Sequence, residues 1–265
     1  MLTGLLRHLE YSRDLACPEA RYNALLYARS RELPLLAEVA STEATGGAVD
    51  AEMAAVDDEF TLLVNAGKRL VVGRFVVVNA EGFITKVTVR EACRTDAHQW
   101  LPHKDELGYT PEDFALCAVS HFEIGVELMT PVPRPKACAA VVFQSQLIDR
   151  IALLTKAVVF DIDASRFTSP VRRRIADALW PVDIREHVGF QCTRRKDGVR
   201  VRTRGMVKFG CPDLEAAQIP VQSETIQLVT AALADLAQQI ALGNELEPAD
   251  AMSSSRIGAG VAYVS

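Results

Sequence analysis

Three runs rich in β-branched residues follow one another between residues 60 and 89, and they constrain the fold more than any other stretch. FTLLVN (60–65), RLVVGRFVVV (69–78) and FITKVTV (83–89) are separated only by Ala66-Gly67-Lys68 and Asn79-Ala80-Glu81-Gly82. Val, Ile, Thr and Phe suit a pleated, half-buried surface, and short connectors containing Gly join antiparallel neighbours. The stretch predicts a three-stranded meander. VVGRFVVV is apolar almost throughout, which predicts a central strand covered on both faces.

Around this meander the period changes repeatedly. Leu2, Leu5, Leu6 and Leu9 recur at helical spacing, and Tyr22, Leu25 and Leu26 form the apolar stripe of a second helix beginning at Pro18. Residues 41–57 are acidic and small, and read as a loop with a short helical piece. HFEIGVELM (121–129) alternates as a strand, with Phe122, Ile124, Val126 and Leu128 on one face and His121, Glu123 and Glu127 on the other. Thr130–Pro135 is a rigid, proline-rich connector. Residues 137–155 read as a buried helix, AVVFDID (157–163) as a strand, and Ser169-Pro170 as the start of a helix running to Leu179. VGFQCTR and VRVRTRGMVKF flank Lys196-Asp197-Gly198, a hairpin signal. Residues 223–242 form an amphipathic helix closed by Gly243, and GVAYVS (260–265) a last strand. This order predicts an α+β fold, with mostly antiparallel sheets packed against helices. Two similar halves sharing a core fit the strand and helix content. The expected organisation is N-terminal helices and an acidic loop over 1–57, then an α+β domain over 58–265 with a sub-boundary at 130–136.

Of 265 residues, 49% are hydrophobic and 24% charged, enough apolar material for a substantial core. No stretch reads as an uninterrupted membrane span of roughly 18 apolar residues. Arg7, His8, Glu10, Arg13 and Asp14 break any signal-peptide core, so the cytoplasm is the expected location. The six cysteines, Cys17, Cys93, Cys117, Cys138, Cys192 and Cys211, show no CxxC pair and are expected as free thiols. No cofactor or metal is predicted: the chain lacks GxSxG, GxxxxGK[ST] and a GxGxxG turn before a helix.

Two constellations could carry function. Asp161 and Asp163 end a strand and, two residues apart on a continuing strand, would share a side and could hold a divalent cation. Glu186 or His187 would then serve as third ligand or base in metal-assisted hydrolysis. The same carboxylates would equally well cap the strand or pair with Arg166 and Arg172-Arg173-Arg174. His121 beside Glu123 is a further candidate base, more simply explained as a satisfied strand residue.

The second constellation is basic. The net charge is −5, yet residues 166–210 carry a balance of +8 against −13 elsewhere. Arg200, Arg202 and Arg204 alternate along one strand, so strand period two puts three guanidiniums on one face, and Arg194, Arg195 and Lys196 sit across the turn. Such a hairpin suits an acidic protein partner. Nucleic acid is disfavoured because the hairpin lacks stacking aromatics and the whole-chain pI is about 5.6. A solvated edge that guards against aggregation is the plain structural alternative.

SHFEIGVEL, AVVFDID, LWPVDIREHVGFQC and above all VRTRGMVKFGCPDLE resemble an uncharacterised bacterial family, domain of unknown function 4261. The carrying positions are Thr203, Gly205, Phe209, Gly210, Pro212, Asp213, Leu214 and Glu215. The resemblance implies a bacterial cytosolic α+β protein without an established activity, and by analogy an immunity or secretion accessory factor. FGCPDLE also has its own reading: Gly210 permits a tight strand exit, while Pro212, Asp213 and Glu215 suit the first turn of a short helix. The leading expectation is a non-enzymatic interaction protein that contacts its partner through Arg194, Arg195, Arg200, Arg202 and Arg204. The alternatives are a metal-dependent hydrolase on Asp161 and Asp163, and nucleic-acid binding through residues 194–208.

Overall fold

The computed structural model describes residues 19–35, 38–39, 52–55, 69–78, 82–92, 111–168, 182–244 and 260–263. Its elements are β1 (Asn23–Ala28), β2 (Glu52–Ala55), β3 (Gly73–Val78), β4 (Ile84–Glu91), α1 (Pro111–Ala118), β5 (Phe122–Leu128), α2 (Arg134–Thr155), β6 (Val158–Asp161) and β7 (Arg166–Thr168). They continue with α3 (Ile184–His187), β8 (Gly189–Arg195), β9 (Gly198–Arg204), a 3₁₀ turn (Met206–Phe209), β10 (Leu214–Ile219), α4 (Ser223–Ala241) and β11 (Gly260–Tyr263). Every strand pairing among them is antiparallel, so the α+β class with antiparallel sheets holds.

The chain divides into two units. One comprises Arg21–Pro131 and Ala139–Ile175; the other comprises Met1–Ala20, Val132–Cys138 and Ala176–Ser265. The chain passes from one unit to the other after Pro131, within the proline-rich connector. The expected pair of similar halves is not seen among the described residues: one unit holds seven strands in the order β2-β3-β4-β5-β1-β6-β7, the other four in the order β11-β10-β9-β8.

In the seven-stranded unit, β1 runs between β5 and β6, with Leu26 opposite Ile124 on one side and Val159 on the other. This corrects the helix expected around Tyr22, Leu25 and Leu26. A short apolar run without charged interruptions has no decisive period, and insertion between two strands settled it. Likewise Glu52–Ala55, expected within a loop, pairs with β3. The apolar run ending in β3 is not buried on both sides: Phe75 and Val77 are buried, Arg74 is exposed, and Val71 and Val72 just before the strand are 58% and 56% exposed. β3 lies next to β2, an outermost strand among the described residues, and β5 takes the central place with β4 and β1 beside it.

Two helices cover this sheet. Gln144 of α2 donates from Nε2 to the Tyr22 carbonyl at 3.2 Å and accepts from Thr85 Oγ1 at 2.6 Å, satisfying a buried polar group amid Val141, Ile148 and Ile151. Each of those aliphatic side chains contributes roughly 1.5–3 kcal/mol by leaving water. Strand alternation turns Tyr27 and Phe160 to the opposite face, where they cluster with Val158 and Cys117 of α1, and Leu25 and Phe167 pack alongside. Helix α2 ends in a Schellman geometry: Ala157 N donates to Ala152 O, Lys156 N to Leu153 O, and Lys156 takes φ +53°. Arg29 N and Ser30 N, just beyond β1, bind the last helical carbonyl, Thr155 O, at 3.1 and 3.0 Å.

By length and apolar composition α2 could cross a membrane. Its buried stripe is nevertheless matched to the sheet, and Lys136, Asp149 and Arg150 interrupt its outer side. It serves here as a core helix.

The four-stranded unit is built on the β8–β9 hairpin. Val199, Val201 and Thr203 of β9 are buried, as are Leu214, Ala216 and Ile219 of β10 and Val229, Leu233 and Ala237 of α4. Gln238 of α4 accepts from Ile184 N at 2.8 Å and donates to Val182 O at 2.9 Å, holding the start of α3. FGCPDLE does not begin a helix. A 3₁₀ turn, flanked by Gly205 (φ +104°) and Gly210 (φ +64°), precedes Pro212, and Leu214 enters β10. The Thr203 side chain draws the chain into the sheet, accepting from Leu214 N at 2.6 Å. The helix expected from Leu2, Leu5, Leu6 and Leu9, the helix expected over 169–179 and the strand expected at 60–65 lie outside the described residues.

Candidate functional site

The Lys196-Asp197 turn joins β8 to β9 as expected, with seven matched pairs from Gly189↔Arg204 to Arg195↔Gly198. Positive φ falls on Gly198 (+138°), not on the two turn residues. A Cβ at Gly198 would lie 2.7 Å from Ile219 O, so the missing side chain lets β10 approach the hairpin closely. β10 is bulged at that place. Ala216 opposes Val201 and Ile219 opposes Val199, leaving one extra residue on β10, with Gln218 at φ +58°.

Arg200, Arg202 and Arg204 share one face of β9 as the alternation predicts, but the chain engages all three. Arg200 Nε lies 3.1 Å from Glu215 Oε1, and Arg202 lies 3.8 Å from Asp213 Oδ2. Arg204 Nε donates to Gln191 Oε1 at 3.1 Å. The Glu215 side chain is only 10% exposed, so its charge is balanced by the Arg200 guanidinium beside it. Asp213 also accepts from Met206 N at 3.2 Å and Thr203 Oγ1 at 3.3 Å. Burial raises its carboxyl pKa above the ordinary value, against the lowering effects of Met206 N, Arg202, Thr203 and Arg204. By their place after Pro212, Asp213 and Glu215 suit the start of a helix, but in the fold Asp213 lies just before β10 and Glu215 within it. Only the return of β10 beside β9 makes them counter-ions.

The turn end of the hairpin differs. Arg194, Arg195 and Lys196 are exposed and have no ion pair or side-chain hydrogen bond among the described residues. They form a cationic tip on β8, the outermost strand of its sheet among the described residues. Cys192 on the same strand is exposed, yet desolvation raises its thiol pKa.

Asp161 and Asp163 are not presented together as a metal pair. β6 ends at Asp161 and the chain turns through residues 162–165, so the continuing strand that would align them is absent. Asp161 is buried and accepts from Ala164 N at 3.0 Å. Asp163 accepts from Asn23 N at 2.6 Å, closing the turn onto β1. Among the described residues no third His, Cys, Asp or Glu joins them, and Glu186 and His187 belong to the other unit. His121 is exposed at the entry to β5, while neighbouring Glu123 is buried and paired with Arg90.

His187 is buried at the end of α3, edge-on to Phe209 with centroids 6.1 Å apart. Its carbonyl accepts from Lys208 Nζ at 2.7 Å. Lys208 is itself fully buried, which sequence reasoning missed: within MVKF a lysine gives no sign of turning inward. It holds the carbonyl end of α3 against the 3₁₀ turn. Comparison of the chain with protein-family models, curated proteins and solved structures finds no match.

Proposed function

We propose that this chain is a non-enzymatic binding protein whose partner is an acidic protein, met at the tip of the β8–β9 hairpin. One observation carries the reading. The inner arginines of the hairpin are matched to Glu215, Asp213 and Gln191, while Arg194, Arg195 and Lys196 stand exposed and unmatched among the described residues. Clustered exposed cations accelerate encounter with an acidic surface and disfavour basic competitors. The contact set therefore shifts from the five arginines expected to the three cations at the turn, with Arg200 at its margin. The resemblance to the family of domain of unknown function 4261 supports a bacterial, cytoplasmic setting and the narrower role of an immunity or secretion accessory factor.

Reversing Arg200, Arg202 and Arg204 would be a poor test, because it would strand Glu215 beside new negative charge. The test is R194E/R195E/K196E, which leaves the inner pairs intact. Fluorescence anisotropy with a labelled twelve-residue Glu-Val repeat, and with duplex DNA of similar charge, measures binding across a salt series. The expected result is salt-sensitive binding of the acidic peptide, weakened about tenfold or more by the reversal. Absence of peptide binding, insensitivity to the reversal, or binding of DNA alone would overturn the reading.

A further inference from the structure

The reading above leaves open how an acidic partner would be held once electrostatics has brought it close. The backbone of β8 suggests a means. β8 pairs with β9 over seven residues without a bulge, and no proline interrupts it. A two-residue turn closes on a doubly hydrogen-bonded pair, here Arg195↔Gly198. Alternation then assigns Thr193, Gln191 and Gly189 to bonds with β9. The N–H and C=O groups of Arg194, Cys192 and Phe190 face the opposite way, along the outer side of the sheet. No strand among the described residues lies on that side.

Proteins commonly guard such an edge with proline, bulges, a covering element or charged side chains on the strand itself. β8 has no proline and no bulge. What it does have is a cationic excess at one end: Arg194 and Arg195 of β8 and Lys196 of the turn are exposed, with Asp197 as the one acid beside them, whereas Phe190, Gln191 and Thr193 are half-buried and uncharged. A second strand bringing positive charge to that end would be repelled, and one bringing carboxylates would be drawn in.

We infer that β8 receives an extended acidic segment of the partner as a fifth strand of this sheet. Its carboxylates lie against Arg194, Arg195 and Lys196, and its backbone bonds to Phe190, Cys192 and Arg194. This inference rests on the proposed acidic partner and adds the mode of recognition. Main-chain pairing supplies the holding contacts, and the cationic end sets the register and the sign of the ligand.

The experiment keeps the two ideas separable. The labelled Glu-Val repeat is compared with the same peptide N-methylated at every second residue, which keeps its charge but removes the donors along one edge. Strand addition predicts that N-methylation weakens binding about tenfold or more. It also predicts a similar loss in Cys192→Pro, which removes an outward N–H not used by β9. Circular dichroism checks that this variant remains folded, and the N-methylated peptide needs no altered protein at all. If both peptides bind equally and R194E/R195E/K196E still weakens them, strand addition is overturned while the acidic partner survives. If neither peptide binds, both readings fall. If sedimentation shows a dimer that Cys192→Pro dissolves, the edge is occupied by a second copy and this inference is overturned.

Discussion

Gly198→Ala is the sharpest probe of how the hairpin is held. At φ +138° an L-residue is strained, at a cost of about 1–3 kcal/mol. The new Cβ would also lie 2.7 Å from Ile219 O, 3.2 Å from Gln218 C and 3.3 Å from Ile219 N. These are backbone atoms of a bulge anchored by the fully buried Ile219, so they cannot swing aside as a flexible side chain would. Such overpacking costs about 1–3 kcal/mol, and the stiffer unfolded chain returns about 0.4–1 kcal/mol. The net loss is about 1–5.6 kcal/mol, centred near 3. Gly243→Ala is the control: its φ is +83°, yet nothing lies within 4 Å of the added Cβ. It should cost about 1 kcal/mol from backbone conformation alone. Urea unfolding followed by circular dichroism, with hydrogen exchange of the β9 and β10 amides to localise the effect, measures both. With m near 2 kcal/mol/M, a 3 kcal/mol loss moves the midpoint by about 1.5 M. If Gly198→Ala falls within about 0.5 kcal/mol of Gly243→Ala, the close approach of β10 does not constrain the hairpin and the argument is wrong.

Two further substitutions test the counter-ion face and its anchor. Thr203→Val keeps the shape of a fully buried side chain but removes the acceptor for Leu214 N. A loss of about 1–3 kcal/mol is expected in urea unfolding, and Thr203→Ser should recover much of it. Asp213 has its pKa raised by burial, so between its ordinary value of 3.8 and the higher folded value the folded state holds the extra proton. Stability from this group is therefore greatest below about pH 3.8 and declines as pH rises through the folded pKa. The stability of the wild type relative to Asp213→Asn should fall between pH 3 and 7 in parallel unfolding titrations. A difference that grows with pH would refute the sign.

Much of the architecture was legible in the chain itself. The β-branched content of 73–78 and 83–89, the alternation through Phe122–Leu128, the long apolar stripe of 137–155 and the Lys196-Asp197-Gly198 turn each determined a local element. Local physics sufficed there because side-chain branching, strand period and turn conformation act within a few residues. The alternation of Arg200, Arg202 and Arg204 likewise determined that they share a face. Tertiary structure alone decided that Asn23–Ala28 supplies a strand between β5 and β6 and that Pro212 leads into β10. It also decided that Lys208 is buried beneath the end of α3. Above all it decided which cations of the hairpin the chain itself engages. Glu215 and Asp213 reach the arginines only because β10 folds back along β9, and among the described residues of the hairpin the cations left without an ion pair or side-chain hydrogen bond are Arg194, Arg195 and Lys196. Ion pairing depends on distances between strands, and spacing along one chain does not contain them.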